Sequence, residues 1–104
     1  MLRNRIVFGA HTANMAENGL PTERHVAYYA ERAIGGAGMI VVEPMPVHPA
    51  TVLTRGNFRP SDDAVIPHFA KVARAIFATT LAVRRPTSTN EPSINASDQV
   101  RNFI

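Results

Sequence analysis

Gly35-Gly36-Ala37-Gly38-Met39-Ile40-Val41-Val42-Glu43-Pro44 is the stretch on which the fold turns. The glycine pair stops whatever precedes it, because glycine accepts the left-handed conformation at the C′ position of a helix. Gly38 to Glu43 then forms a short apolar run rich in β-branched residues. It is too short for a helix and reads as a strand. The run does not alternate, which predicts burial on both faces, as in a parallel sheet. Pro44, Pro46 and Pro49 end it. Working backward, Pro21-Thr22-Glu23 opens a helix. The Thr22 hydroxyl suits its cap, and Glu23 suits the positive end of its dipole. Val26, Tyr29, Ala30 and Ala33 share one stripe at helical spacing. Further back, Arg5-Ile6-Val7-Phe8-Gly9-Ala10 repeats the short apolar run and predicts a first strand. A polar stretch from His11 to Leu20 follows it and contains the turn pair Asn18-Gly19.

Working forward, Pro44 to Pro60 predicts a long irregular loop, and loops of that length tend to be functional. Ser61-Asp62-Asp63 forms a second capping cluster. Val65, Phe69, Val72, Ala73, Ile76 and Phe77 give a second helical stripe, with Pro67 tolerated in its first turn. The order strand, helix, strand, helix implies an α/β fold with parallel strands and right-handed crossovers.

After Phe77 the pattern fails. Thr79-Thr80-Leu81-Ala82-Val83 offers a weak third strand. Arg84 to Pro92 is polar, holds two prolines and has no periodicity, so it reads as linker or disorder. A short helix from Ser97 is the expectation for the end, and Asn95-Ala96-Ser97 reads as a chance glycosylation triplet. Two parallel strands with two helices leave both sheet edges open. A (β/α)8 barrel needs about 250 residues. The chain is therefore either a piece of a larger α/β design or one that pairs with another copy.

Composition removes several function classes. The 104 residues are 45% hydrophobic and 18% charged, which excludes a charge-driven disordered tail. The absence of cysteine excludes disulfides, thiolate metal sites and thiol nucleophiles. A net charge of +3, scattered along the chain, is a weak nucleic-acid signal. No apolar run approaches the ~20 residues of a membrane span, and the first residues lack a signal peptide's apolar stretch. The expectation is a cytoplasmic protein with neither nucleic acid nor membrane as partner.

Three stretches in order carry a resemblance. They are Asn4-Arg5-Ile6-Val7-Phe8-Gly9-Ala10-His11-Thr12, then Tyr28-Tyr29-Ala30-Glu31-Arg32-Ala33 leading into Gly35 to Glu43, then Asp63-Ala64-Val65-Ile66-Pro67-His68-Phe69. Together they resemble the Old Yellow Enzyme family of FMN-dependent NADH:flavin oxidoreductases. The His11-Thr12 pair is most similar to the 2,4-dienoyl-CoA reductase and trimethylamine dehydrogenase branch. The resemblance covers residues 1–77. Residues 78–104 match nothing in the family, as a frameshifted or truncated reading frame would produce.

The resemblance implies a partial TIM (β/α)8 barrel. Residues 1–77 would supply its first two βα units, and residues 78–104 would form an irregular tail. It implies FMN as cofactor, NADH or NADPH as reductant, and a small enone- or amine-type substrate. Ala10 and His11 would lie against the flavin ring, with Thr12 toward its N5/O4 edge. Pro44 would be a further contact, but it lacks the N–H that the family commonly points at the flavin. The cysteine that bonds covalently to flavin in the trimethylamine dehydrogenase branch is replaced by Thr12, so binding would be non-covalent. The family's third-strand glutamine, substrate-binding histidine pair, proton-donating tyrosine and phosphate-binding arginines come from later segments that the chain lacks. It would therefore be inactive alone, with no catalytic residue of its own. The alternative is a non-enzymatic α/β module that self-associates through exposed strand edges.

The remaining residues of interest read more plainly. His25 and His68 are expected at the surface or in packing, without a carboxylate at ligand spacing. His48 is expected in a loop, and Tyr28-Tyr29 in core or interface packing. Gly35 to Gly38 precedes a strand, whereas a dinucleotide fingerprint follows one. Arg84-Arg85 is too short for a basic patch.

Overall fold

The computed structural model describes residues 1–60 and 63–84. Its elements are β1 (Val7–Phe8), α1 (Glu23–Ile34), β2 (Met39–Ile40), a 3-10 turn at Pro49–Thr51, and α2 (Val65–Arg84). The strands pair in parallel, with Val7 opposite Met39 and Phe8 opposite Ile40. They are shorter than the apolar runs that contain them. Around the paired residues, Gly38 N–H and Met39 N–H both reach the Ile6 carbonyl, and Val41 N–H reaches the Phe8 carbonyl. The long loop also holds one regular feature that its prolines did not announce. His48 Nδ1 accepts the Ala50 N–H at 3.1 Å and caps the 3-10 turn.

α1 forms where its punctuation places it. Thr22 is the N-cap in extended conformation, and its N–H donates to Nδ1 of His25 at 3.0 Å, the return half of a capping box. At the other end Gly36 N–H reaches the Ala33 carbonyl and Ala37 N–H the Arg32 carbonyl. This pairing is a Schellman motif, and Gly36 supplies its left-handed residue with φ +105°. The Arg3 guanidinium donates to the carbonyls of Ala33 and Ala37, placing a cation at the negative end of the helix. Gly38 is required by close approach, since a Cβ there would collide with the Asn4 carbonyl oxygen.

α2 runs past Phe77, so Thr79 to Val83 forms helix and no third strand. Two threonines are weak helix formers, yet each hydroxyl donates back four residues. Thr79 bonds the Ala75 carbonyl and Thr80 the Ile76 carbonyl, both at 2.8 Å. Buried Val72, Ala75 and Thr79 continue the inward face at helical spacing. Ser61, Asp62 and the stretch from Arg85 onward, with the expected terminal helix and the Asn95 triplet, lie outside the described residues.

Both helices cover the same face of the sheet. Phe8, Ile40 and Val42 pack on a core of Val26, Tyr29, Ala30, Val72 and Ala75. Among the described residues nothing covers the opposite face, where Val7 is 53% and Met39 46% exposed. The expected burial on both faces is thus not met: strands this short, covered on one side, leave alternate side chains in water. A doubly wound sheet would place helices on both faces. One-sided helices on parallel strands are compatible with a partial barrel, in which every helix lies outside. α2 also departs from its expected stripe. Ala73 is exposed and Phe77 is 69% exposed, and both line an open cavity between α2 and the Ile40–Val42 stretch.

Candidate functional site

The loops leaving β1 and β2 meet at the C-terminal ends of the strands. The first turns at Asn18 and Gly19, both at positive φ, between reciprocal backbone bonds of Glu17 and Leu20. The second docks on it. Ala16 N–H donates to the Gly56 carbonyl at 3.1 Å, and Arg59 N–H to the Gly19 carbonyl at 2.9 Å. Thr54 Oγ1 bonds Asn14 Oδ1, and Gly56 lies so close to Asn14 that a Cβ would strike its backbone.

Between these loops is a cavity of about 340 Å³. Pro44, Met45, Pro46, Val47 and Leu53 give it an apolar wall, and Thr12, Thr51 and Asn57 supply the polar groups. Of the four residues expected at the site, the structure brings Thr12 and Pro44 together here. Ala10 is exposed at the same strand end and does not line the cavity. His11 turns toward α1. Its Nε2 accepts the Tyr28 hydroxyl proton at 2.6 Å, and its ring meets Phe8 edge-on. The Tyr28 ring is in turn covered by the Arg32 guanidinium, 3.5 Å from its centroid.

Behind this rim is a buried polar cluster that the sequence did not announce. His25, expected at the surface or in packing without a carboxylate partner, is fully buried against Glu43. Its Nε2 lies 2.8 Å from Glu43 Oε1. The contact is close but bent, short of a linear hydrogen bond. Because Nδ1 accepts the Thr22 N–H, the ring proton belongs on Nε2, facing Glu43. Glu43 Oε2 accepts the Ala13 N–H at 2.9 Å. The Glu43 N–H donates to the buried Tyr29 hydroxyl at 3.0 Å. Burial raises the Tyr29 phenol above its ordinary range. A signal was present for both ends of the pair. His25 falls beside Tyr29 on the apolar stripe, and Glu43 ends a continuously apolar strand, where an acid needs a partner.

Burial pushes His25 below its ordinary pKa of 6.5, and the neighbouring Glu43 only partly opposes this. The native ring is therefore neutral where the unfolded ring takes up a proton. Stability is fully present above pH 6.5 and is lost as pH falls from there toward the lowered native value. Thermal unfolding followed by circular dichroism should show a lower midpoint at pH 5.5 than at 7.5. A midpoint that is level or rises on acidification would contradict this assignment.

Among the described residues no group of three or more histidine, aspartate or glutamate side chains could hold a metal ion. No described helix is long and apolar enough to cross a membrane. The sequence model of the NADH:flavin oxidoreductase / NADH oxidase family matches residues 1–83, beyond the Phe77 at which the resemblance by motif ends. The chain is 36% identical over 80 residues to an N,N-dimethylglycine/sarcosine dehydrogenase of Chromohalobacter salexigens, covering 72% of this chain and 11% of that protein. It is 35% identical over 78 residues to an NADH oxidase of Thermoanaerobacter brockii, covering 73% and 12%. Against an NADPH dehydrogenase of Bacillus subtilis it is 34% identical over 77 residues, covering 72% and 23%. The chain thus spans between a tenth and a quarter of the length of these relatives.

Proposed function

We infer, from the premise that the chain belongs to the NADH:flavin oxidoreductase / NADH oxidase family, that its two strand ends form one rim of a non-covalent FMN site. The whole protein would be an oxidoreductase using NADH or NADPH and a small-molecule substrate, and residues 1–83 would be the opening part of its barrel. The observation that carries this reading is the meeting of Thr12 and Pro44. They are distant in sequence, yet they share an apolar-walled cavity at the C-terminal ends of parallel strands. That is where a barrel holds its chemistry.

The residues present suit the ring of FMN and not its phosphate. Met45, Val47 and Leu53 offer apolar contact to a planar ring, and the Thr12 hydroxyl offers a donor. No lysine or arginine lines the cavity among the described residues. Bound FMN would supply hydride transfer between the nicotinamide and the substrate. Thr12 would donate a hydrogen bond that favours the electron-rich reduced ring. Pro44 would contribute packing alone, because it has no N–H. Of the two readings open from the sequence, the family match supports the enzymatic one over the self-associating module.

The test is a chimera in which residues 1–83 replace the matching segment of the B. subtilis NADPH dehydrogenase. It should purify yellow and oxidise NADPH. Thr12→Ala in that chimera should leave FMN bound and lower the flavin potential, since a hydrogen bond to a charged group is worth about 1.5–3 kcal/mol. A folded chimera without FMN would sink the reading. An unchanged potential would show that Thr12 does not face the ring.

A further inference from the structure

We propose that Glu43, aimed by His25 and Tyr29 of α1, is a positioning residue that sets the separation of the two strand ends and thereby the shape of the Thr12–Pro44 rim. What the rim holds rests on the functional reading above. Backbone pairing between the strands stops at the 3.0 Å bond from Val41 N–H to the Phe8 carbonyl. From Gly9 to Thr12 no hydrogen bond ties the first strand end to the second among the described residues. Gly9 at the start of that stretch is exposed, and a Cβ there would meet nothing within 4 Å. The next tie is the 2.9 Å bond from Ala13 N–H to Glu43 Oε2. Ala10, His11 and Thr12 therefore form a short bridge between two points fastened to the chain leaving β2, Phe8 and Ala13, with His11 held sideways to Tyr28 of α1.

Glu43 is itself held at both ends. His25 and Tyr29 are four residues apart and share a face of α1. His25 faces the carboxylate, and Tyr29 accepts the backbone N–H. With backbone and side chain both engaged, the carboxylate has little freedom, the condition for a residue that places others. Its two neighbours, Ala13 N–H and His25 Nε2–H, are both donors. Only a group with two acceptor oxygens presents an acceptor to each, by a hydrogen bond to Ala13 and a close, bent contact to His25; a glutamine amide would turn its NH₂ toward one of them. Pro44 follows Glu43 directly, so the same residue fixes the ring on the opposite side of the cavity.

Amide hydrogen exchange on the 104-residue chain tests the clamp without any flavin. The Ala13 amide should exchange about 100-fold more slowly than that of Thr12, which makes no bond among the described residues. In Glu43→Gln that ratio should fall to within about threefold, and the Met45 amide resonance should shift. Tyr29→Phe removes a buried bond at the same place but leaves both carboxylate oxygens with their donors. It should lower overall stability and keep the ratio. A merely structural role predicts that the ratio follows overall stability in both variants. Should Glu43→Gln not fold, the unsubstituted chain still decides: Ala13 exchanging as fast as Thr12 overturns the proposal. A folded Glu43→Gln that retains the ratio overturns it equally. A chimera without FMN would overturn the functional reading, and the exchange ratio would still judge the clamp.

Discussion

FMN added to the purified 104-residue chain should show no saturable quenching of flavin fluorescence below about 10 μM, equivalent to about −7 kcal/mol. The protein should purify colourless. Flavin affinity needs a phosphate grip, and the cavity wall brings no cation to it among the described residues. The contacts it does offer come from Thr12, Pro44 and the loop behind them. They stand on two strands joined by a ladder of two residues each. Among the described residues nothing covers the sheet face carrying Val7 and Met39, so burial from them does not offset the ordering of those strands. Fixing each backbone residue costs about 1–2 kcal/mol. Circular dichroism should accordingly show helix with a broad thermal transition. Stoichiometric, saturable binding tighter than about 10 μM would overturn this expectation. It would mean that the remaining residues, or a second copy of the chain, complete the site.

The parts of the fold that were legible are those decided by local chemistry. The Asn18-Gly19 turn and the Gly36 helix stop follow from which residues tolerate positive φ, and both glycines adopt it. The α1 stripe follows from spacing: Val26, Tyr29, Ala30 and Ala33 are each at most 4% exposed. The misjudged parts depend on what lies across from a residue. Thr79 and Thr80 looked like strand because β-branching favours strands, but side-chain bonds to the preceding turn satisfied them within the helix. Burial of the strands on both faces was inferred from unbroken apolar runs. Such runs record the environment a sequence is suited to, and the described residues cover one face of it.

The site divides along the same line. Thr12 and Pro44 could be placed at strand ends from sequence, because strand ends are set by proline and by the close of an apolar run. His11 was legible as a position but not as a direction. Its ring turns to Phe8 at the end of β1 and to Tyr28 on α1, a partner that only the packing of the helix on the strand brings near. The His25–Glu43 pair was missed because its partners come from different elements, and spacing along one helix cannot reveal a carboxylate at the end of a strand.

That pair also carries the largest stability effect expected of a single substitution. Glu43→Ala leaves the Ala13 N–H and the His25 Nε2–H without an acceptor in a site where His25 is 0% exposed and Glu43 5%. With His25 neutral, the loss is that of two buried donors left unsatisfied, about 1–3 kcal/mol each. Native domains are stable by only about 5–15 kcal/mol in total, and a two-stranded sheet covered on one face belongs at or below the low end of that range. Glu43→Ala should therefore abolish cooperative unfolding in urea at 25 °C. Glu43→Gln should lose less, because one oxygen remains for one of the two donors. The double variant His25→Leu/Glu43→Gln should be no less stable than Glu43→Gln alone. With the imidazole donor gone, the amide oxygen serves Ala13 undisturbed, and this recovers about what the lost Thr22 cap costs, ~1 kcal/mol. The two substitutions are thus expected to be strongly non-additive, as contacting buried partners are. Simple addition of the single losses in a double-mutant cycle would show that His25 and Glu43 act independently, and the buried pair would then be a coincidence of packing.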